Sequence, residues 1–228
     1  GSRGTASFTD NPQAGENEWA ANPSATSANR VLYSTAALTS PVQVSGTSSI
    51  TVTATPSTST ARLSAMLVDY GPATIRNFSG PGEGIVTGTD RTCWGSSTDG
   101  DSACYKVTSA DTKKVDYTII SRGWADLANY QSLSREAKLT PGKAYTMTFR
   151  LASTDHVVPA GHRLALVIGG TDNGFVTAPA NPPKLTIDLA KTSARVPLVG
   201  AVPARPWTEA TSAGPLAHVP AAAHFDLR

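Results

Sequence analysis

The chain has 228 residues, of which 39% are hydrophobic and 16% charged. This balance is typical of a globular protein and excludes a disordered or fibrous one. The net charge of +2 comes without any basic run, which argues against a nucleic-acid partner. No stretch approaches the roughly 18 consecutive apolar residues that a membrane span needs, so no membrane partner is expected either.

Residues 1–30 are predicted to be an extended lead-in. They are polar, and Pro12 and Pro23 each follow an asparagine, which favours turns and extended chain. The Gly-Ser start is typical of the remnant left by tag removal, so we expect an excised piece of a longer protein. Trp19 lies in this segment and is predicted to contact a neighbouring domain.

The chain from residue 31 onwards contains a series of short predicted strands. In residues 145–151 every odd position is apolar and every even position polar, which is the period of a half-buried strand. Residues 63–68 and 164–168 are nearly continuous apolar runs, typical of central strands covered on both faces. Only residues 125–138 could hold a helical turn. The same alternation recurs in residues 50–54, 115–119 and 185–189.

Glycine and proline turn signals separate these strands along the chain. Regularly spaced short strands with such turns predict an all-β fold, a jelly-roll β-sandwich with one core over residues 31–200. The Pro/Ala-rich residues 201–228 are predicted to be a loosely held tail.

The two cysteines, Cys93 and Cys104, flank a polar segment rich in glycine and serine. We predict a disulfide that closes a short surface loop, worth roughly 3 kcal/mol in the chain-entropy model. The alternative is a two-cysteine metal site, although a second ligand pair and the Cys-x-x-Cys spacing are both missing. Because persistent disulfides belong to oxidising compartments, the pair predicts a secreted protein.

Catalytic motifs are not found in this sequence. Without a Gly-x-Ser-x-Gly segment no hydrolase nucleophile can be placed, so the chain is not expected to be an enzyme by itself. Asp155, His156 and His162 lie close to a hydroxyl residue, either Ser153 or Thr154, but the members of a triad are seldom sequence neighbours. The simpler interpretation is a turn before a buried strand, with His162 hydrogen-bonded to that turn.

The acidic pair Asp99 and Asp101 raises the question of calcium. An EF-hand loop needs more oxygen ligands and a distal glutamate, so a solvated loop is expected. A structural calcium site is the minor alternative, and no other cofactor is expected.

Several aromatic residues outside the predicted strands have two open interpretations. Aromatic faces either pack in a core or against a partner domain, or they form a platform for sugars. A cluster around one concavity would favour carbohydrate binding, and burial would argue against it. The residues concerned are Trp19, Trp94, Trp124, Tyr130 and, in the tail, Trp207.

Five segments, taken in order, resemble the C-terminal domain of Xaa-Pro dipeptidyl-peptidases and cocaine-esterase-like acyl hydrolases. They are residues 7–10 with 30–46, then 63–71, 121–126, 139–145 and 158–164.

The resemblance implies a non-catalytic jelly roll, similar to galactose-binding folds, that packs against an α/β-hydrolase domain. In that family the Ser-Asp-His triad belongs to this upstream domain, so no catalytic residue is carried over to the present chain. The hydrolase domain is therefore the expected partner. The implied parent enzyme removes X-Pro dipeptides or hydrolyses acyl esters through an acyl-serine intermediate, and both activities stay open.

Overall fold

Strands make up 50% and helices 8% of the computed structural model, which describes residues 4–200. This confirms the predicted all-β fold. No helix in the described part of the chain is long and apolar enough to cross a membrane. The predicted tail, with Trp207, His218 and His224, lies outside the described residues. The strands are β1 (Thr5–Thr9), β2 (Arg30–Ser34), β3 (Val42–Gly46), β4 (Ser49–Pro56), β5 (Arg62–Arg76), β6 (Ile85–Cys93), β7 (Cys104–Ala110), β8 (Thr112–Asp126), β9 (Tyr145–Arg150), β10 (Thr154–Val158), β11 (Arg163–Gly169), β12 (Lys184–Asp188), β13 (Ser193–Arg195) and β14 (Leu198–Val199).

The described residues form two units. The sandwich unit comprises residues 4–71 and 117–200, and the hairpin unit comprises residues 72–116. The sequence predicted one core over residues 31–200 and did not predict a separate hairpin unit.

Three sheets build the sandwich unit. The first has the order β1-β12-β4-β13, with β9 also paired to β4; the second is β10-β3-β14, and the third is β2-β11-β5-β8. Side chains from all three sheets fill one common core, which makes the unit a β-sandwich. The jelly-roll connectivity stays a prediction. Representative core residues are Phe8, Tyr33, Val44, Val52, Leu67, Met147, Val158, Leu166 and Ile187.

The first sheet is covered on one face only, as its alternating sequence predicted. Met147 and Phe149 of β9 are buried, and Thr148 between them is exposed. The Thr148 hydroxyl lies 2.8 Å from the Thr51 hydroxyl of β4, directly opposite in the antiparallel ladder. Such cross-strand threonine pairs stabilise an exposed sheet face.

The third sheet is covered on both faces, which confirms the prediction for its two apolar strands. Leu67 of β5 and Leu166 of β11 point into the common core. Their neighbours Met66 and Val167 point to the opposite face and form a second apolar cluster with Trp19.

The segment predicted as an extended lead-in contains regular structure. Strand β1 pairs with β12, and Phe8 lies opposite Leu185 with both side chains buried. Helix α1 (Glu16–Ala20) places Trp19 in the second apolar cluster. The predicted boundary at residue 31 differs from the structure because these apolar side chains bury more surface in the sandwich than an extended chain would.

The hairpin unit is built on the antiparallel pair β6 and β7. Ile85 lies opposite Ala110 at one end of the ladder and Cys93 opposite Cys104 at the other. Every residue of β6 is exposed to solvent. In residues 125–138, a single 3₁₀ turn spans Leu127–Asn129, which confirms the limited helical prediction there.

Candidate docking surface

A stacked aromatic pair is exposed on the sandwich unit. The ring of Trp124, on β8, stacks on Phe175 with centroids 5.2 Å apart and an interplanar angle of 20°. Trp124 is 38% and Phe175 55% exposed. The Trp124 indole Nε1 donates a hydrogen bond to Asp172 Oδ2 at 2.8 Å, and Asp172 Oδ1 accepts from the backbone N–H of Glu16 at 3.0 Å. A buried carboxylate therefore fixes this exposed pair.

A partly exposed cation accompanies the aromatic pair. Arg122 lies two residues before Trp124 on β8, so both side chains point to the same side of the strand. Its Nε is 2.9 Å from Glu16 Oε2. Burial raises the pKa of Glu16 above its usual 4.5; the charge of Arg122 opposes this rise and that of Asp172 adds to it. We call Arg122, Trp124 and Phe175 the Trp124 patch.

Steric constraints explain why glycine lies between Arg122 and Trp124. Gly123 faces the carbonyl oxygen of Arg150 so closely that a Cβ at this position would overlap it. The Arg-Gly-Trp order therefore combines close packing on one side of β8 with exposed side chains on the other.

Two other predicted contact residues are used inside the sandwich unit. Trp19 is 1% exposed, and its Cζ2 atom would lie 2.7 Å from a Cβ added at Gly169. It therefore cannot serve as an exposed docking residue. Tyr130 is half-buried and packs edge-on against Tyr145, with centroids 4.8 Å apart.

The predicted disulfide is confirmed. Cys93 and Cys104 are directly opposite in the β6–β7 ladder and are bonded to each other. Both sulfurs are thus in the bond, which removes the thiolates that the metal-site alternative required. Trp94 follows the bridge and is 82% exposed.

The acidic pair between the cysteines lies in a tight turn. The backbone N–H of Thr98 donates to the carbonyl of Asp101 at 3.0 Å, and the reverse bond is 3.2 Å long. Gly100 in this turn has φ +87°, a conformation that glycine adopts without strain. Among residues 4–200 there is no cluster of three or more His, Cys, Asp or Glu side chains arranged to hold a metal ion.

The two described histidines meet at a carboxylate that sequence reasoning missed. Asp69 is 4% exposed, and its two oxygens lie 2.9 Å from His156 Nε2 and 2.8 Å from His162 Nδ1. A Cβ at Gly71 would overlap the His162 ring, so glycine is needed there. The predicted hydrogen bond of His162 to its turn is made by its backbone N–H, which donates to the carbonyl of Pro159 at 3.2 Å, while its side chain bonds Asp69 of β5. The signal was available, because a charged residue directly after a buried apolar run needs a partner.

The neighbouring residues considered for a triad do not assemble one. The Asp155 carboxylate accepts from Gln43 at 2.8 Å, and the Ser153 hydroxyl lies 2.6 Å from that of Thr47. His156 is hydrogen-bonded to Asp69 rather than to Ser153 or Asp155.

Comparison with protein-family profiles identifies the domain. Residues 2–216 match the profile of the X-Pro dipeptidyl-peptidase C-terminal non-catalytic domain. The chain belongs to this family. As a member of it, the domain is non-catalytic, and the proteins that carry it are named for a hydrolase activity.

Relatives of the domain are much longer than the domain itself. A Streptomyces avermitilis protein, named provisionally as an Xaa-Pro dipeptidyl-peptidase, is 58% identical over 209 residues; these cover 92% of this chain and 31% of the relative. A Bacillus cereus protein with the same provisional name is 28% identical over 185 residues, covering 81% of this chain and 25% of the relative. The domain thus spans less than a third of either relative.

Solved structures share the fold at low sequence identity. An aminopeptidase from a marine sediment Thaumarchaeota archaeon gives a TM-score of 0.55 at 14% identity, covering 87% of this chain and 33% of that one. An α-amino acid ester hydrolase gives 0.53 at 12% identity, covering 83% and 31%. These likenesses describe the fold alone.

Proposed function

We propose that this domain packs on the α/β-hydrolase domain of a longer Xaa-Pro dipeptidyl-peptidase-like serine hydrolase and supports its substrate site. The observation that carries the proposal is the Trp124 patch. Tryptophan and arginine are enriched among the residues that dominate binding energy at protein interfaces. Here they lie on one strand of a domain that matches only 31% of its S. avermitilis relative.

The hydrogen bonds beneath the patch favour docking. Asp172 fixes the Trp124 indole before any partner arrives, and Glu16 restrains Arg122. Ordering such side chains costs about 0.5–1.5 kcal/mol each on association. A surface that is ordered in advance therefore loses less free energy when it binds.

The relatives' names support a substrate class for the parent protein. Both longer relatives carry the name of Xaa-Pro dipeptidyl-peptidase. We therefore favour cleavage of X-Pro dipeptides from peptide N-termini over ester hydrolysis, with an acyl-serine intermediate formed in the hydrolase domain.

The test substitutes the patch in the full-length protein and measures hydrolysis of Ala-Pro-anilide. Phe175→Ser is expected to lower kcat/KM about tenfold, because losing an interface aromatic costs 1 kcal/mol or more. Leu133→Ser is the matched control, since Leu133 is an exposed apolar residue of the same unit, and it should leave kcat/KM unchanged. Equal activity of both variants and the wild type would sink the proposal for this patch.

A second experiment tests whether the catalytic portion needs this domain for full activity. The catalytic portion, expressed separately, is assayed with and without this chain, and the chain alone serves as the blank. A rise on addition supports the proposal. A catalytic portion that is folded and fully active without the chain argues for the alternative function.

That alternative is a carbohydrate- or surface-binding module, and Trp94 is the observation that favours it. Its indole ring is largely exposed to solvent and offers a face on which a sugar could stack. Glycan binding by this chain that Trp94→Ala abolishes would support the alternative; an unaltered or absent signal would count against it.

We also propose that the parent protein is secreted, with the Cys93–Cys104 disulfide as support. Protein is collected from the native culture medium without reductant and treated with a thiol-alkylating reagent. Cys93 and Cys104 should be alkylated only after the disulfide has been reduced. Recovery solely from the cytosol, with both thiols free, would contradict secretion.

A further inference from the structure

The hairpin unit presents one apolar face that no residue of the unit itself covers. Neighbouring residues of a strand point to opposite faces, and directly opposed residues of a ladder share a face. Thr92 opposes Tyr105, and Val86 opposes Ser109. Tyr105, Val107 and Ser109 therefore share one face with Val86 and Thr92.

The large side chains of this face are apolar and exposed. Val86, Tyr105 and Val107 are all exposed, and Trp94 continues the face beyond Thr92. The backbone N–H of Trp94 donates to the carbonyl of Ala103 at 3.0 Å, so the pairing extends one step past the cysteines. We call Val86, Trp94, Tyr105 and Val107 the hairpin face.

The opposite face has a different character. Arg91 opposes Lys106, Thr87 opposes Thr108, and the disulfide lies on the same side. Ile85 is the one large apolar residue on that side, at the end of the ladder far from the disulfide. The ribbon is thus amphipathic, with its large apolar side chains concentrated on one side.

A two-stranded ribbon with an uncovered apolar face is poorly stable in water by itself. Isolated hairpins are marginal, and contiguous exposed apolar patches mark interaction sites. The disulfide restrains the ribbon but buries none of the apolar side chains. Burial of the hairpin face against another surface would therefore stabilise the ribbon.

We infer that the hairpin face docks on an apolar surface of the α/β-hydrolase portion of the same full-length protein. This inference rests on the proposed function and adds a second contact surface to the Trp124 patch. The S. avermitilis relative is matched over only 31% of its length, so most of such a protein lies outside this domain. A partner in the same polypeptide is present at millimolar effective concentration, which favours it over a second copy of the chain.

The test compares two lysine substitutions at adjacent positions of β7 in the full-length protein. Val107→Lys charges the hairpin face, and Thr108→Lys places the same side chain on the opposite face. Amide hydrogen exchange is followed by mass spectrometry in peptides from β6 and β7. Peptides from β9 report whether the sandwich unit stays folded.

Docking suppresses the local opening from which hairpin amides exchange. We expect Val107→Lys to speed exchange in β6 and β7 at least about tenfold. Thr108→Lys should stay near wild type, and β9 should be unchanged in both. Wild-type exchange rates in both variants would overturn the inference, and so would equal acceleration in both.

Comparison with the isolated 228-residue chain separates the two proposals. If residues 121–126 are protected in the full-length protein but the hairpin is not, the proposed function stands and the hairpin inference falls. If neither segment gains protection, both fall. Hairpin protection in the isolated chain that rises with protein concentration would overturn the inference in favour of a second copy.

Discussion

Replacing Trp19 by alanine is expected to lower the free energy of unfolding of the chain by about 3–5 kcal/mol. Trp19 is among the largest fully buried side chains, and it packs with Leu32, Met66 and Val167 between α1 and the third sheet. Its removal leaves a cavity between two elements that the dense packing around it cannot fully close. Urea unfolding followed by circular dichroism measures the loss as a lower midpoint at constant slope.

Two controls sharpen the Trp19 result. Leu133→Ala removes an exposed apolar side chain and should change the stability by no more than about 0.5 kcal/mol. Trp19→Phe should cost less than Trp19→Ala, because the buried indole Nε1 has no hydrogen-bond partner among residues 4–200 and the change removes volume alone. A loss below about 1 kcal/mol for Trp19→Ala would show that α1 does not hold the third sheet as described.

The core strands were predictable because burial leaves a period in the sequence. Residues 145–151 alternate because β9 has one wet face, and the continuous run in 63–68 reflects the two covered faces of β5. Strand β1 was missed because its alternation rests on Ala6 and Phe8 alone, and helix α1 was missed because its five residues make little more than one turn. Their place in the fold depends on partners as distant as β12, more than 170 residues away.

The candidate surfaces were less predictable than the core. The disulfide followed from two cysteines alone, and Trp124, which stays a predicted contact residue, is 38% exposed. Whether a tryptophan is buried or exposed depends on tertiary packing, so Trp19 and Trp124 looked alike in the sequence and differ in the structure. The hairpin face was missed because its apolar residues are spread over two strands interrupted by a register shift.

Replacing Asp69 by alanine is expected to cost about 2–4 kcal/mol of stability, because two imidazole N–H donors lose their common acceptor. Leaving a buried donor unsatisfied costs about 1–3 kcal/mol, and the total is held down by the partial exposure of His156. The bonds join β5 to β10 and to the turn before β11, so the loss affects strands from two sheets.

Asp155→Ala is the matched control for Asp69, because Asp155 adjoins His156 in sequence but is exposed and bonds only Gln43 among the described contacts. It should cost no more than about 0.5 kcal/mol. In a double-mutant cycle with His162→Ala, the loss from Asp69→Ala should shrink by 0.5 kcal/mol or more, since one of the two donors is already gone. If Asp69→Ala unfolds at the same urea midpoint as Asp155→Ala, the carboxylate does not hold these strands together. A cycle with no coupling would assign the loss to Asp69 packing alone. The family-like segments 63–71 and 158–164 would then be joined by their ladder rather than by the hydrogen bond between Asp69 and His162.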